Sequence, residues 1–302
     1  MDEINGLKIT TLAENMVQAG GLGQWGLSFL LEVDDAKGDR RKLVFDTGAE
    51  KDALRHNIKH MKLDLSDVEG VVLSHGHGDH TAATVEIVGA AGGVKIYAHP
   101  YTFLPRFSVS KRGKRSWAGP PEGERIAEIE AAGGDIVTSA DPVEVVPGLW
   151  TTGQVERVTD FERISPPKKG GRRVIVVDGE EVDDLILDDQ SVWMNVKSFG
   201  PFVVTGCAHS GPINTLHQVK RLGEFEGVRG LVGGTHLVGR TDEYLQRTLE
   251  ELRGFKLDMV SPCHCTGFKA TAEIWRAFPE EFVLNYCCRT LEAGKMPRVR
   301  LI

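Results

Sequence analysis

The sequence predicts a layered α/β fold, and three observations carry that prediction. Short apolar runs separated by turn residues fill the first part of the chain. Strands and helices alternate through the last part, and the stretch between, at about residues 100–173, is rich in Pro, Gly and basic residues. With 302 residues the chain is long enough to bury one continuous core, so the expected organisation is a single domain over residues 1–302 with an inserted lid at about 100–173.

Residues 7–12, 27–33, 42–45, 71–73 and 94–97 are short runs of aliphatic and β-branched side chains, the pattern of strands. Residues 81–91 are rich in Ala with apolar positions at helical spacing, and Thr81 suits an early helical turn. Between them lies His75-Gly76-His77-Gly78-Asp79-His80, which therefore joins a strand to a helix. The middle stretch carries two basic clusters, Lys111-Arg112-Gly113-Lys114-Arg115 and Lys168-Lys169-Gly170-Gly171-Arg172-Arg173. It reads as long loops interrupted by one amphipathic helix at 122–132, with Trp150-Thr151-Thr152 returning to a sheet. Beyond it, strands at 192–196, 202–205, 230–232 and 259–260 alternate with helices at 213–222, 242–252 and 270–278.

Composition narrows the function. A balance of 36 basic against 43 acidic residues with 41% hydrophobic content excludes a disordered chain, and the net negative charge argues against nucleic acid as a partner. Apolar runs such as Phe202-Val203-Val204 are too short to cross a bilayer, and Met1-Asp2-Glu3-Ile4-Asn5 lacks the pattern of a signal peptide, so no membrane partner and a cytoplasmic location are expected. The five cysteines include Cys263-x-Cys265 and Cys287-Cys288, unlike the framework of a small secreted domain, and are expected to be reduced.

The chemistry concentrates in the histidine segment. In extended backbone alternate side chains point the same way, so His75 and His77 can face one ion. Asp79 and His80 add a carboxylate and an imidazole after a bend that Gly76 and Gly78 permit, in reach of a second ion close by. Four ligand-type residues in so short a stretch predict a metal site.

His-x-His-x-Asp-His after an apolar strand, with Asp46-Thr47-Gly48 ending an earlier one, resembles the metallo-β-lactamase superfamily. The resemblance implies its four-layer αββα sandwich, with Asp46 bracing the histidine loop through hydrogen bonds rather than binding metal. It also implies that His264, in Pro262-Cys263-His264-Cys265-Thr266-Gly267, completes the site of Asp79 and His80. Where the family carries a further ligand histidine, after Pro147-Gly148-Leu149-Trp150-Thr151-Thr152-Gly153, this chain has Gln154. His209, in Gly206-Cys207-Ala208-His209-Ser210-Gly211, is the expected substitute beside His75 and His77. Cys207 falls where the family has a bridging aspartate or sometimes a cysteine, and is read either as a site thiol or as a buried one. Of the Cys-His-Cys run around His264, strand alternation is expected to turn at most one face to the site. His236 follows an apolar strand toward the same pocket and is a candidate catalytic residue with Asp79, a scaffold role being its alternative. His99, His56, His60 and His217 are read as structural.

Gly23-x-Trp25-Gly26-Leu27-Ser28, Gly206 to Gly211, Gly233-Gly234-Thr235-His236-Leu237 and Cys263 to Gly267 together resemble the dihydropterin-methyl-ribofuranosylaminobenzene-phosphate synthase branch, a step of methanopterin biosynthesis. That likeness implies condensation of a hydroxymethyl-dihydropterin diphosphate with an aminobenzene ribofuranosyl phosphate, releasing diphosphate. Ser210 and Gly211, opening a helix, are expected to offer N–H groups to a phosphate. The basic clusters could add charge, and Trp25, Phe103, Phe107 or Trp117 could stack a planar heterocycle. Two divalent ions are expected as cofactors, zinc foremost with manganese or iron as alternatives. A metal-dependent hydrolase of a phosphodiester or other ester, a diiron redox protein and a non-catalytic binding protein are the other readings.

Overall fold

The structure, a computed structural model, describes residues 2–18, 20–164 and 170–293. Strands β1 (Gly6–Ala13), β2 (Ser28–Asp34) and β3 (Arg40–Phe45) form an antiparallel meander, followed by helix α1 (Lys51–His60). Strand β4 (Gly70–Val72) leads into the histidine loop and two short helices, α2 (Gly78–Thr81) and α3 (Thr84–Ala90), before β5 (Lys95–Ala98). The single helix expected at 81–91 is thus broken near Ala82 and Ala83.

The middle stretch is more ordered than long loops. It holds β6 (Arg106–Val109), β7 (Arg115–Trp117), α4 (Ile126–Ala131), β8 (Asp135–Thr138), β9 (Glu144–Val146) and β10 (Leu149–Thr151), and is followed at its end by the hairpin β11 (Arg172–Val177) and β12 (Glu180–Asp183). The remainder comprises β13 (Ser191–Val196), β14 (Gly200–Thr205), α5 (Pro212–Leu222), β15 (Gly230–Gly234), α6 (Asp242–Gly254), β16 (Met259–Cys263), a 3-10 turn (His264–Thr266), α7 (Phe268–Ala277) and β17 (Thr290–Ala293).

These strands make a seven-stranded sheet in the order β17-β1-β2-β3-β4-β5-β8, a six-stranded sheet in the order β16-β15-β14-β13-β10-β9, and a small four-stranded sheet, β12-β11-β6-β7. Side-chain alternation explains why the two large sheets face each other. Phe29, Leu31 and Val33 of β2 meet Phe202 and Val204 of β14 in one buried cluster, whereas Leu30, between them in sequence, packs with Leu54 of α1, Val88 of α3 and Ile129 of α4. On the far side Val203, Leu231 and Val260 pack against Leu216 of α5, Leu249 of α6 and Ile274 of α7. Helices, sheet, sheet and helices therefore form four layers, the expected αββα sandwich. No helix among the described residues is long and apolar enough to cross a membrane.

The arrangement also locates the site. Strands β3, β4 and β5 run parallel, as do β14, β15 and β16. The loops leaving β3, β4, β14, β15 and β16 carry, in turn, Asp46, the histidine segment, Cys207 with His209, His236 and His264. Carboxyl ends of parallel strands are where layered α/β folds place ligands.

Candidate metal centre

Asp46 sets the shape of the histidine loop. It leaves β3 with left-handed backbone, φ 59°, and its buried carboxylate accepts the Ser74 N–H and the Ser74 hydroxyl, both at 2.7 Å. The same carboxylate accepts His80 Nδ1–H at 2.7 Å, so Nε2 of His80 is turned into the cluster, 3.2 Å from Cys207 Sγ. Because the Ser74 hydroxyl donates to Asp46, it accepts from His75 Nδ1 at 2.9 Å, which leaves His75 Nε2 without a proton. Asp46 thus contacts the histidine loop through hydrogen bonds from Ser74 and His80. Close packing from the second sheet supports it: a Cβ on Gly206 would lie 2.1 Å from Ser74 Oγ and 2.9 Å from Asp46 Oδ2.

Two groups assemble around these anchors. His75 Nε2 lies 2.8 Å from His77 Nδ1 and 3.2 Å from His209 Nε2. Asp79 Oδ2 lies 3.6 Å from His264 Nε2 and 3.9 Å from His80 Nε2. The expected sets, His75, His77 and His209 on one side and Asp79, His80 and His264 on the other, are thus each brought together, with ligand atoms within 4.8 Å of one another. Cys207 stands between them, sharing groups with His75 and His80, with His209 and His236, and with His264 and Cys265.

Electrostatics favour lone pairs and a cation here. Burial, then the crowding of other imidazoles, drives His75 and His209 well below the ordinary histidine range; for His77, burial and then the Arg106 guanidinium do so. Burial pushes His264 down to about 3, with His80 adding to it. His80 is the exception: burial opposes charge there, but Asp46 and Asp79 raise it to about 9. The carboxylates that hold a proton at His80 equally stabilise a metal cation in its place. His264 is 1% exposed and neither ring nitrogen has a hydrogen-bond partner, nor has Nδ1 of His236. Buried donors and acceptors are ordinarily satisfied, and so many unpaired imidazole nitrogens in one space fit a divalent metal.

His236 sits at the rim with left-handed backbone, φ 45°, its ring centroid 4.2 Å from that of His209. Trp25 is 55% exposed and its ring centroid lies 5.2 Å from that of His264. Gln154 Oε1 accepts from His99 Nε2 at 3.3 Å, pairing with a histidine already read as structural.

Other expectations are corrected. The N–H groups at the start of α5 are occupied by the chain's own carboxylates. Asp189 accepts the N–H of His209 at 2.9 Å and of Ser210 at 2.8 Å, Glu162 accepts those of Ile213 and Asn214 at 2.9 and 2.7 Å, and the Gly211 N–H goes to the Ala208 carbonyl. Ser210 and Gly211 therefore have no free N–H for a phosphate. Phe107 and Trp117 pack edge-to-face on each other at 5.2 Å and Phe103 joins the helix-side core, which leaves Trp25 as the aromatic at the cluster. Of the basic clusters, Arg115 pairs with Glu181 and Arg172 with Asp183, while Lys168 and Lys169 lie outside the described residues.

Sequence reasoning missed Cys265, because it assumed a strand there: β16 stops at Cys263, and His264, φ 51°, turns the next residues into a 3-10 helix that breaks the alternation. It also missed a set of buried charges. Arg106, fully buried, pairs with Asp188, which accepts the Gly76 N–H at 2.7 Å, so the middle stretch grips the histidine loop from behind. Gly76 admits no larger residue there, since a Cβ would lie 2.0 Å from the Thr102 carbonyl oxygen. Glu14 accepts the His264 N–H at 2.5 Å, and burial raises its carboxyl to about 7. The one signal for any of these is Asp188-Asp189 placed one residue before an apolar strand.

An αββα sandwich with imidazoles, carboxylate and thiol gathered at its strand ends defines a class of protein built around a metal centre. The chain belongs to the metallo-β-lactamase superfamily, whose family model matches residues 26–185. It is 29% identical over 297 residues, 97% of each chain, to the 7,8-dihydropterin-6-methyl-4-(β-D-ribofuranosyl)-aminobenzene-5'-phosphate synthase of Methanocaldococcus jannaschii. Among solved structures it is similar to Tm1679, described as a metal-dependent hydrolase of the β-lactamase superfamily, with TM-score 0.75 and 24% identity over 96% of this chain and 100% of that one. It is also similar to the metallo-β-lactamase fold protein YhfI from Bacillus subtilis, with TM-score 0.52 and 13% identity over the same shares. These two likenesses concern the fold.

Proposed function

We propose that this protein is a metal-dependent enzyme acting on a small phosphorylated, pterin-like substrate, and that its reaction is a diphosphate-releasing condensation. The observation that carries the metal dependence is the buried His264 ring, whose unpaired Nε2 faces the Asp79 carboxylate at 3.6 Å within a cluster of further imidazoles. The substrate class rests on the full-length likeness to the synthase. His75, His77 and His209 would hold one divalent ion and Asp79, His80 and His264 a second, zinc foremost, manganese or iron as alternatives. When bound, such ions supply Lewis-acid polarisation of a phosphoryl oxygen and stabilise a departing diphosphate.

The chain's own residues do the rest. Trp25, exposed beside His264, stacks the planar heterocycle. His236, whose Nδ1 is unpaired, takes the proton that an aminobenzene nitrogen loses as its new C–N bond forms. Asp79, with its side chain 25% exposed, is the cluster carboxylate open to substrate and orients the incoming group. Of the lid expected at about 100–173, β8, β9 and β10 belong to the two large sheets, and the part that acts as a lid on a single domain runs from β6 to Pro121: the Gly119 carbonyl and Pro121 abut Gly78 of the histidine loop, and excluding water there favours transfer over hydrolysis.

The test is turnover of the metal-loaded protein with hydroxymethyl-dihydropterin diphosphate, with and without the aminobenzene ribofuranosyl phosphate. Acceptor-dependent diphosphate release is expected. Equal release without acceptor would make the enzyme a hydrolase, and no release with either would overturn the substrate class.

A further inference from the structure

Histidine and carboxylate ligands do not account for all the donors at the cluster. Cys207 and Cys265 are both buried beside it, and the ligand atoms of Cys207, His264 and Cys265 lie within 4.8 Å of one another. They arrive by different routes. Cys207 follows β14 and brings Sγ within 3.2 Å of His80 Nε2. Cys265 lies in the 3-10 turn after β16, where the left-handed backbone of His264 directs both of these consecutive side chains into one space. Cys265 Sγ accepts the His236 N–H at 3.3 Å, the kind of contact that supports negative charge on a ligating sulfur. Beside the two thiols His264 is buried with both ring nitrogens lacking a hydrogen-bond partner.

The remaining cysteines do not share this environment. Cys263 is packed in the core between the large sheets, Cys287 donates its thiol to the Glu14 carbonyl at 3.0 Å, and Cys288 is half-buried.

We propose that Cys265 is a metal ligand, joining Cys207 and His264 in a thiolate-rich position of the centre that takes a soft or borderline divalent cation, such as zinc, cobalt or cadmium, in preference to manganese or magnesium. This rests on the metal-centre reading and deepens it by assigning donors that set metal choice. Imidazole and carboxylate suit zinc, manganese and iron alike; paired thiolates do not, because sulfur is a soft donor. Each thiol gives its proton to solvent as the cation binds.

The experiment is an anaerobic titration of the reduced, metal-stripped full chain with Co2+, recording bound metal and near-ultraviolet sulfur-to-cobalt charge-transfer absorption. The wild type is expected to show the band, Cys265→Ser to lose about half of it, and Cys263→Ser to keep it. Cys265→Ser should also weaken Cd2+ binding at least about tenfold while leaving Mn2+ binding unchanged. A Cys207→Ser protein that keeps part of the band supports the proposal independently, because that residue of absorption comes from Cys265, and it serves if Cys265→Ser fails to fold. Cobalt bound without the band, or a band untouched by Cys265→Ser in a folded protein, would overturn the thiolate assignment and leave the metal centre standing. No cobalt bound at all would sink the metal-centre reading itself, and the assignment with it.

Discussion

Asp46 organises the centre without standing among its proposed ligands. Its two carboxylate oxygens fix the Ser74 backbone and hydroxyl and the His80 ring, and through Ser74 the tautomer of His75. In Asp46→Asn the left-handed backbone is retained at little cost, since Asn tolerates it, but an amide N–H₂ replaces one acceptor. Metal affinity should fall about 10–100-fold, measured by competition with a chromophoric chelator, while the folded fraction changes little. An unchanged affinity would mean that the histidines are held by other contacts. At this scale the sequence was legible wherever ligands are neighbours in the chain, as from His75 to His80, because six consecutive residues already define the cluster. Cys265 was hidden by one positive φ at the residue before it, which no periodicity reports.

Helix α5 shows how an element can look like a ligand site and be a closed one. Its first N–H groups are taken by Glu162, whose carboxyl burial raises from 4.5 to about 7 despite the Ile213 and Asn214 hydrogen bonds. The folded chain thus keeps a proton that the unfolded chain releases between those values. This group's contribution is full below about pH 4.5 and declines as pH rises to about 7, by about 3 kcal/mol in all. Urea denaturation of wild type and Glu162→Gln across that window should show the stability difference shrinking toward neutral pH, and a constant difference would contradict the buried-carboxyl account. Strand β6 carries the second element-scale prediction. Arg106 reaches from it to Asp188, so Arg106→Met leaves that carboxylate buried and unpaired and should cost about 3–5 kcal/mol in unfolding free energy. Adding Asp188→Asn should recover part of the loss. Strands of the large sheets were readable from alternation, as at 27–33 against the observed Ser28–Asp34. Those of the small sheet were not: every residue of Glu180–Asp183 is exposed, so hairpin pairing with β11 across the Asp178-Gly179 turn, rather than a buried face, makes it a strand. Helix α1 escaped for a related reason, having mostly polar residues around buried Leu54 and Asn57.

Over the whole molecule, the proposed ligands come from both halves of the sandwich. His75, His77, Asp79 and His80 belong to the seven-stranded sheet's side, whereas Cys207, His209, His236 and His264 hang from the ends of β14, β15 and β16 in the six-stranded sheet. A bound cation would therefore tie the two sheets at one edge, while the apolar face between them holds elsewhere through Phe29, Leu31, Phe202 and Val204. That division of labour predicts a stabilisation set by metal concentration rather than a fold that depends on metal. At a free metal concentration one hundred times Kd, the gain is about 2.7 kcal/mol per ion when the unfolded chain does not bind it. Calorimetry should show the midpoint of the metal-loaded protein falling on chelation, with the fall reversed by added zinc and absent from a His77→Ala, His264→Ala double variant. Far-ultraviolet circular dichroism of the chelated chain should stay close to that of the loaded one at 25 °C, because the inter-sheet core does not pass through the cluster. Loss of the folded signal on chelation would instead place the metal among the determinants of the fold, and an unmoved midpoint after verified removal of metal would deny that the ligands bridge the sheets.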